Sequence, residues 1–221
     1  MSRSTSFSLQ TIDTAVKHLR DADPVMRELI QQVGPFTLRP HRNRFELLVR
    51  SIISQQISTK AARSIRRRVE ALVAPEELAA ENLVQCEVQL LRAAGLSSQK
   101  TTYLLDLCRK VLDGQVRLRH IGRLSDENII QDLIEVKGVG RWTAQMFLIF
   151  ALGRLDVLPH DDLGLRSAIR NLYQLDDLPD QQTSHRIAQP WRPYATVATW
   201  YCWRSFDTPQ DDATNATDSP V

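Results

Sequence analysis

Apolar residues recur at helical spacing over nearly the whole chain, and runs of alternating β-branched residues are nearly absent; together these exclude a sheet-based fold. The spacing predicts helices near 8–20, 24–33, 43–54, 58–73, 87–94, 97–113, 125–135, 140–152, 162–173, 180–188 and 193–204. In the 58–73 segment Ser58 is placed to cap the start. Ala61, Ala62, Ile65, Val69 and Leu72 share one face, and Arg63, Arg66 and Arg67 point away. Trp142 to Leu152 is apolar nearly all round, which predicts a central buried helix. With 221 residues, 43% of them hydrophobic, the chain has material for one large domain or two small lobes.

The longest apolar run, Met146 to Leu152, falls far short of the roughly 20 residues that span a bilayer. The polar start Met1-Ser2-Arg3-Ser4 lacks the apolar core of a secretory signal, so a cytoplasmic protein is expected, nucleoid-associated if bacterial, with no membrane partner. Cys86, Cys108 and Cys202 are dispersed and odd in number, which excludes a disulfide framework, a zinc site or a four-cysteine cluster. Formal charge is +2, yet it is unevenly spread. Between Gly34 and Glu70 nine Arg and Lys face two Glu, whereas the segment after Arg204 carries only Asp207, Asp211, Asp212 and Asp218. The basic stretch suits a polyanion, or is simply a solvated helix surface. The tail 207–221, rich in Asp, Thr and Pro, has little to bury and is expected to be disordered.

The most specific local pattern is Glu135-Val136-Lys137-Gly138-Val139-Gly140-Arg141-Trp142-Thr143. A helix ends, a tight turn takes glycine at two positions, and a new helix begins at once, so N–H groups converge outward where a helix dipole favours anions. Lys137, Gly138, Val139, Gly140, Arg141 and Thr143 are therefore candidate phosphate contacts. Glycine here also fits ordinary helix capping. Farther on comes Val157-Leu158-Pro159-His160-Asp161-Asp162-Leu163-Gly164-Leu165-Arg166.

This pairing resembles the helix-hairpin-helix DNA glycosylase superfamily, whose members carry a Gly-x-Gly hairpin followed by a Pro-rich loop ending in an essential Asp. Within it the chain is most similar to the 3-methyladenine DNA glycosylase II branch. Further matches are Ser51-Ile52-Ile53-Ser54-Gln55-Gln56-Ile57-Ser58 with Lys60-Ala61-Ala62, then Ala94-Gly95-Leu96-Ser97-Ser98-Gln99-Lys100, and Pro190-Trp191-Arg192-Pro193-Tyr194-Ala195 leading to Trp200. The likeness runs from about Phe45 to Trp203. It implies an all-α, two-lobed helix-hairpin-helix glycosylase domain over 1–206 with a DNA-binding cleft between its lobes. One lobe would span about 45–160 with the hairpin at 136–141; the other would join 1–44 to 161–206. The residues before the first shared motif read as helical, so a short form without the β-rich N-terminal domain of the best-known bacterial member is expected.

Hydrolysing an N-glycosidic bond makes the sugar carbon electron-poor, and a nearby carboxylate stabilises that state. The motif's register assigns this role to Asp162, with Asp161 as competitor; Asp162 is also placed to cap the helix from Leu163. Bifunctional members carry a lysine where this chain has Trp142, and an indole cannot form a Schiff base. The resemblance thus implies a monofunctional enzyme. Electron-rich faces of Trp142 and, by alignment, Trp200 suit cationic alkylated purines, while Trp203 reads as an ordinary core aromatic. Gln56 is the candidate plug for the vacated base position and Ile57 the candidate wedge, with Ser58 and Lys60 beside them; a buried turn is the alternative. Backbone carbonyls of Ile134, Val136 and Val139 match those that hold a monovalent cation, sodium or potassium, in the superfamily; no cofactor is otherwise required. His160 reads as an exposed loop histidine.

The expected function is a monofunctional base-excision-repair DNA glycosylase. It would release 3-methyladenine and 7-methylguanine from double-stranded DNA and leave an abasic site, working as a monomer. The alternatives are a non-catalytic scanning protein or a glycosylase for a deaminated or oxidised base.

Overall fold

The computed structural model describes residues 7–207, and among them the chain forms twelve α-helices, two single 3₁₀ turns and no strand. The N-terminal hexapeptide and the tail beyond Asp207 lie outside the described residues. The helices are α1 (Leu9–Ala22), α2 (Pro24–Val33), α3 (Arg44–Ser54), α4 (Thr59–Val73), α5 (Ala80–Leu83), α6 (Val88–Ala93), α7 (Ser98–Leu112), α8 (Asp126–Ile134), α9 (Arg141–Phe150), α10 (Leu163–Leu172), α11 (Gln181–Ile187) and α12 (Ala195–Arg204). No helix among these residues is long and apolar enough to cross a membrane. The all-α class and the predicted segments hold; α5 is additional, a single turn without a capping side chain.

Short polar residues start most of these helices. Ser8, Asp23, Asn43, Ser58, Ser97, Ser125, Asp162 and Asp180 each accept a hydrogen bond from a backbone N–H in the first turn they precede. Each such cap is worth about 1 kcal/mol. Two compact units result. A middle unit runs His41–Phe147, and a terminal unit takes the chain up to Pro40 and again from Leu148, so the return falls inside α9 rather than near residue 160.

The terminal unit gathers around α12, on which α1, α2 and α10 pack. Leu19, Met26, Ile30, Trp191 and Tyr201 are almost wholly buried there, and each such side chain contributes roughly 1.5–3 kcal/mol. Asp23 caps α2 from inside this core. One of its carboxylate oxygens accepts from the Val25 and Met26 N–H groups, and the other from the Tyr173 hydroxyl and the Trp191 indole N–H at 2.9 Å. A buried charge is tolerable when its lone pairs are met in this way. Burial together with that bond to Asp23 drives the Tyr173 hydroxyl far above its ordinary pKa.

In the middle unit α7 is central, touching α3, α5 and α6, while α4 packs on α3 and α6. Leu48, Ile52, Leu83, Leu91 and Leu104 are fully buried. The three cysteines are free thiols, and burial pushes the Cys108 thiol up to about 12. The α4 face departs from the expectation at Arg66, which is half-buried and pairs with Glu70 at 3.2 Å.

Candidate active site and nucleic-acid surface

In the terminal unit, the loop between α9 and α10 is tied to the start of α12. Thr196 N–H donates to the Leu155 carbonyl, its hydroxyl accepts from Val157 N–H, and Arg192 pairs with Asp156 at 2.8 Å. The Pro190–Ala195 motif therefore anchors the loop that ends at Asp162. There the two neighbouring aspartates separate. The Asp161 side chain is 64% exposed, with His160 at 3.4 Å. Asp162 is half-buried, and its Oδ1 accepts from Leu165 N–H at 2.7 Å and from the Trp203 indole N–H at 2.8 Å. A charged acceptor makes both bonds stronger than neutral ones.

Trp203 is therefore not a plain core aromatic. Its ring stacks on Phe150 at 5.7 Å and 18°, and its N–H is aimed at Asp162. Trp200, a turn away on α12, is buried against Phe36 at 4.7 Å and Tyr201 at 4.9 Å. Nor is His160 exposed: its side chain keeps 13% of its surface and faces the His185 ring at 5.3 Å. Burial first, then the charges of His160 and Arg192, lower the pKa of His185.

In the middle unit, α8 ends at Ile134, the chain turns through 135–140, and α9 begins at Arg141. Gly138 has φ +81°, and a Cβ there would meet the Tyr103 ring at 2.1 Å, so both backbone and packing require glycine. Asp106 accepts the Lys137 N–H at 2.9 Å, and the Val136 carbonyl takes that of Val139 at 3.0 Å. Among the described residues the Gly138 and Gly140 N–H groups donate, and the Ile134 and Val139 carbonyls accept, no backbone–backbone bond. Lys137, Gly140 and Arg141 are exposed, whereas the Val139 and Thr143 side chains are buried and present backbone alone. Arg141 is bonded through two nitrogens to Glu127, at 3.0 and 2.7 Å. That guanidinium, helped by Gln131, pulls the Glu127 carboxyl to about 2. Trp142, in the first turn of α9, is 36% exposed.

The turn between α3 and α4 lies against this hairpin, because the Gln55 side chain donates to the Gly138 carbonyl at 2.8 Å. Lys100 donates to the carbonyls of Ile53 and Gln55 at 2.7 and 2.6 Å, closing the end of α3. Gln56 stands at φ +57°, a left-handed conformation costly for a non-glycine residue. Gln56, Ile57, Ser58 and Lys60 are all exposed, and the Ser58 hydroxyl caps α4. This is an exposed turn, not the buried alternative.

Sequence reasoning missed Trp203, Lys100, Gln55, Tyr103 and Asp106. Lys100 did carry a signal: a cation in the first turn of a helix opposes the helix dipole, and such local misfits mark a tertiary role.

Residues 49–193 match the HhH-GPD superfamily model, described as base excision DNA repair protein. The chain is 32% identical over 195 residues to an alkylbase DNA glycosidase-like protein of Schizosaccharomyces pombe, covering 86% of this chain and 92% of that one. Among solved structures it is similar to the 3-methyladenine DNA glycosylase of the same yeast in complex with abasic DNA, with a TM-score of 0.77, 32% identity, and 87% and 96% coverage. It is also similar to a DNA-3-methyladenine glycosidase of Bacillus halodurans, with a TM-score of 0.79, 35% identity, and 86% and 88% coverage.

Proposed function

The chain belongs to the HhH-GPD superfamily of base excision DNA repair proteins, and from that premise we propose that it is a monofunctional DNA glycosylase releasing alkylated purines from duplex DNA. The observation that carries the reading is Asp162, a half-buried carboxylate held by two N–H donors at the end of a braced loop. A carboxylate so fixed stabilises the positive charge that develops on the sugar as the base departs, with no reorganisation at the moment of reaction. It also orients the water that completes hydrolysis.

Trp142 stands where a lysine would be needed for strand cleavage, so the product is an abasic site in an intact strand. 3-Methyladenine and 7-methylguanine are cationic and leave readily, and the indoles of Trp142 and Trp200 favour such rings over neutral ones. The names of two similar proteins support the substrate class, as both are 3-methyladenine glycosylases or glycosidases.

DNA is engaged by the hairpin and the neighbouring turn. Gly138 and Gly140 offer N–H groups to a phosphate, Lys137 adds charge, and Gln56 and Ile57 fill the space a flipped base leaves. Carbonyls of Ile134, Val136 and Val139 would hold a monovalent cation; those of Ile134 and Val139 accept no backbone N–H among the described residues, which suits that role. Bound there, the cation would add positive charge facing a phosphate. The enzyme works as a monomer.

The test is release of methylated purines from alkylated duplex DNA by the wild type and by Asp162→Asn, with strand breaks scored before and after alkali. The expected result is release that the substitution abolishes, with breaks appearing only after alkali. Breaks before alkali would overturn the monofunctional reading, and binding without release would point to a scanning protein.

A further inference from the structure

Asp162 and Trp203 are far apart in sequence and meet through a bond from the indole N–H to Oδ1. We propose that Trp203 is a positioning residue for the glycosylase reaction: its indole N–H fixes the plane of the Asp162 carboxylate. The inference rests on the glycosylase reading above and deepens it.

The first support is the donor set. An ionised carboxylate oxygen offers about two lone pairs, and on Oδ1 both are met, by Leu165 N–H at 2.7 Å and Trp203 Nε1 at 2.8 Å. Capping alone requires only the first of these, since Asp180 and Ser97 cap their helices with one backbone bond. The terminal torsion of a carboxylate is broad and roughly two-fold. A donor from another helix narrows it around the orientation that meets the indole N–H.

The second support is how firmly the donor itself is placed. Trp203 stacks on Phe150 at 5.7 Å, and α12 is tied at its other end to the Leu155–Val157 segment through Thr196. The loop leading to Asp162 is thus braced by the start of α12, and its last residue by the end of the same helix. Reaction geometry is demanding enough that displacement of a catalytic group by about 1 Å costs on the order of a hundredfold in rate.

The third support is Gly164. A Cβ at this position would press on Asp162 Oδ1 at 3.2 Å while meeting Trp203 Cδ1 at an ordinary contact distance of 3.5 Å. Alanine is the better helix former, so local propensity does not explain glycine in the first turn of α10. Clearance for the Asp162 oxygen that accepts the indole N–H does.

Trp203→Phe keeps an aromatic ring for Phe150 and deletes the N–H. Single-turnover excision of 7-methylguanine from duplex DNA is expected to fall about ten- to a hundredfold, with affinity for a duplex carrying an abasic-site analogue unchanged within about twofold. Gly164→Ala, which leaves both partners present, is expected to lower the rate in the same direction without loss of thermal stability. In an Asp162→Asn background Trp203→Phe is expected to cause no further loss, because its effect runs through that carboxylate. In ¹⁵N-labelled protein the indole proton of Trp203, identified by its disappearance in Trp203→Phe, is expected to move upfield in Asp162→Asn as its acceptor loses charge. Wild-type excision by Trp203→Phe, an equal loss in both backgrounds, or an indole signal indifferent to Asp162 would each overturn the proposal. Absence of any base release by the wild type would instead overturn the glycosylase reading, and the indole signal still tests the contact.

Discussion

Asp162 in the terminal unit and the 135–140 hairpin in the middle unit are held by opposite means. At Asp162 the proposed functional group is a side chain, and its holders are a backbone N–H, an indole and the ties from Thr196 and Arg192. At the hairpin the functional groups are backbone, and the holders are side chains: Tyr103 filling the space beside Gly138, Asp106 on the Lys137 N–H, Gln55 on the Gly138 carbonyl. A side chain that reacts can be exchanged for a near-isostere, such as Asn for Asp162, that keeps an oxygen to accept the bonds made to it. A backbone group cannot be removed at all; it can only be misplaced. Substitutions should therefore affect rate in the first region, and binding and stability in the second.

The largest effect separates the two cleanly. Asp162→Asn should lower the excision rate by about 10²–10³-fold, the scale for losing one preorganised charge-stabilising group, with duplex affinity retained; gel-shift and single-turnover assays on one preparation measure both. Gly138→Ala should do the reverse. The forced contact with Tyr103 and the left-handed backbone cost roughly 1–3 kcal/mol, read as a lower Tm and weaker duplex binding. Tyr103→Ala added to it should recover part of that loss, the part due to contact rather than to φ. A Gly138→Ala protein that binds normally but excises slowly would dissolve the distinction.

Lys100→Met is the next test. It deprives the Ile53 and Gln55 carbonyls of their donor, worth about 1–3 kcal/mol, and should loosen the turn carrying Gln56 and Ile57. Faster amide exchange at Ile57, with Leu165 unchanged, is the expected signature. The smallest effect is at Glu127. Its carboxyl is lowered from 4.5 to about 2, so the stabilisation it brings is fully present above about 4.5 and is lost as pH falls toward about 2. Glu127→Gln should flatten that acid limb by lowering stability slightly near neutral pH while leaving it unchanged near pH 2, as thermal melts from pH 2 to 7 would show.

The same contrast explains what could be read from the sequence. Helices were legible because their signals are local: the apolar stripe, and a Ser, Asp or Asn at the start. α5 escaped because one turn has no period and Ala79 offers no cap. Asp162 and the glycine hairpin were legible as identities in a motif. Trp203 was not, because Trp200 and Trp203 look alike on paper, and which indole meets Asp162 depends on how α12 packs. Lys100 and Gln55 act on carbonyls that no sequence pattern records. Identities of reacting groups are written locally, whereas the contacts that hold them arise from chain segments distant in sequence.

The terminal unit is built from two segments, one on either side of the middle unit, and this fixes an order during synthesis. α1 and α2 leave the ribosome first, carrying Leu19, Met26 and Asp23, whose partners Tyr173 and Trp191 are translated much later. The middle unit is contiguous and complete once Phe147 has emerged, and domains generally fold as units during synthesis. The nascent protein therefore acquires its hairpin surface early. Its carboxylate is secured only when Trp203, nearly the last described residue, arrives to hold it.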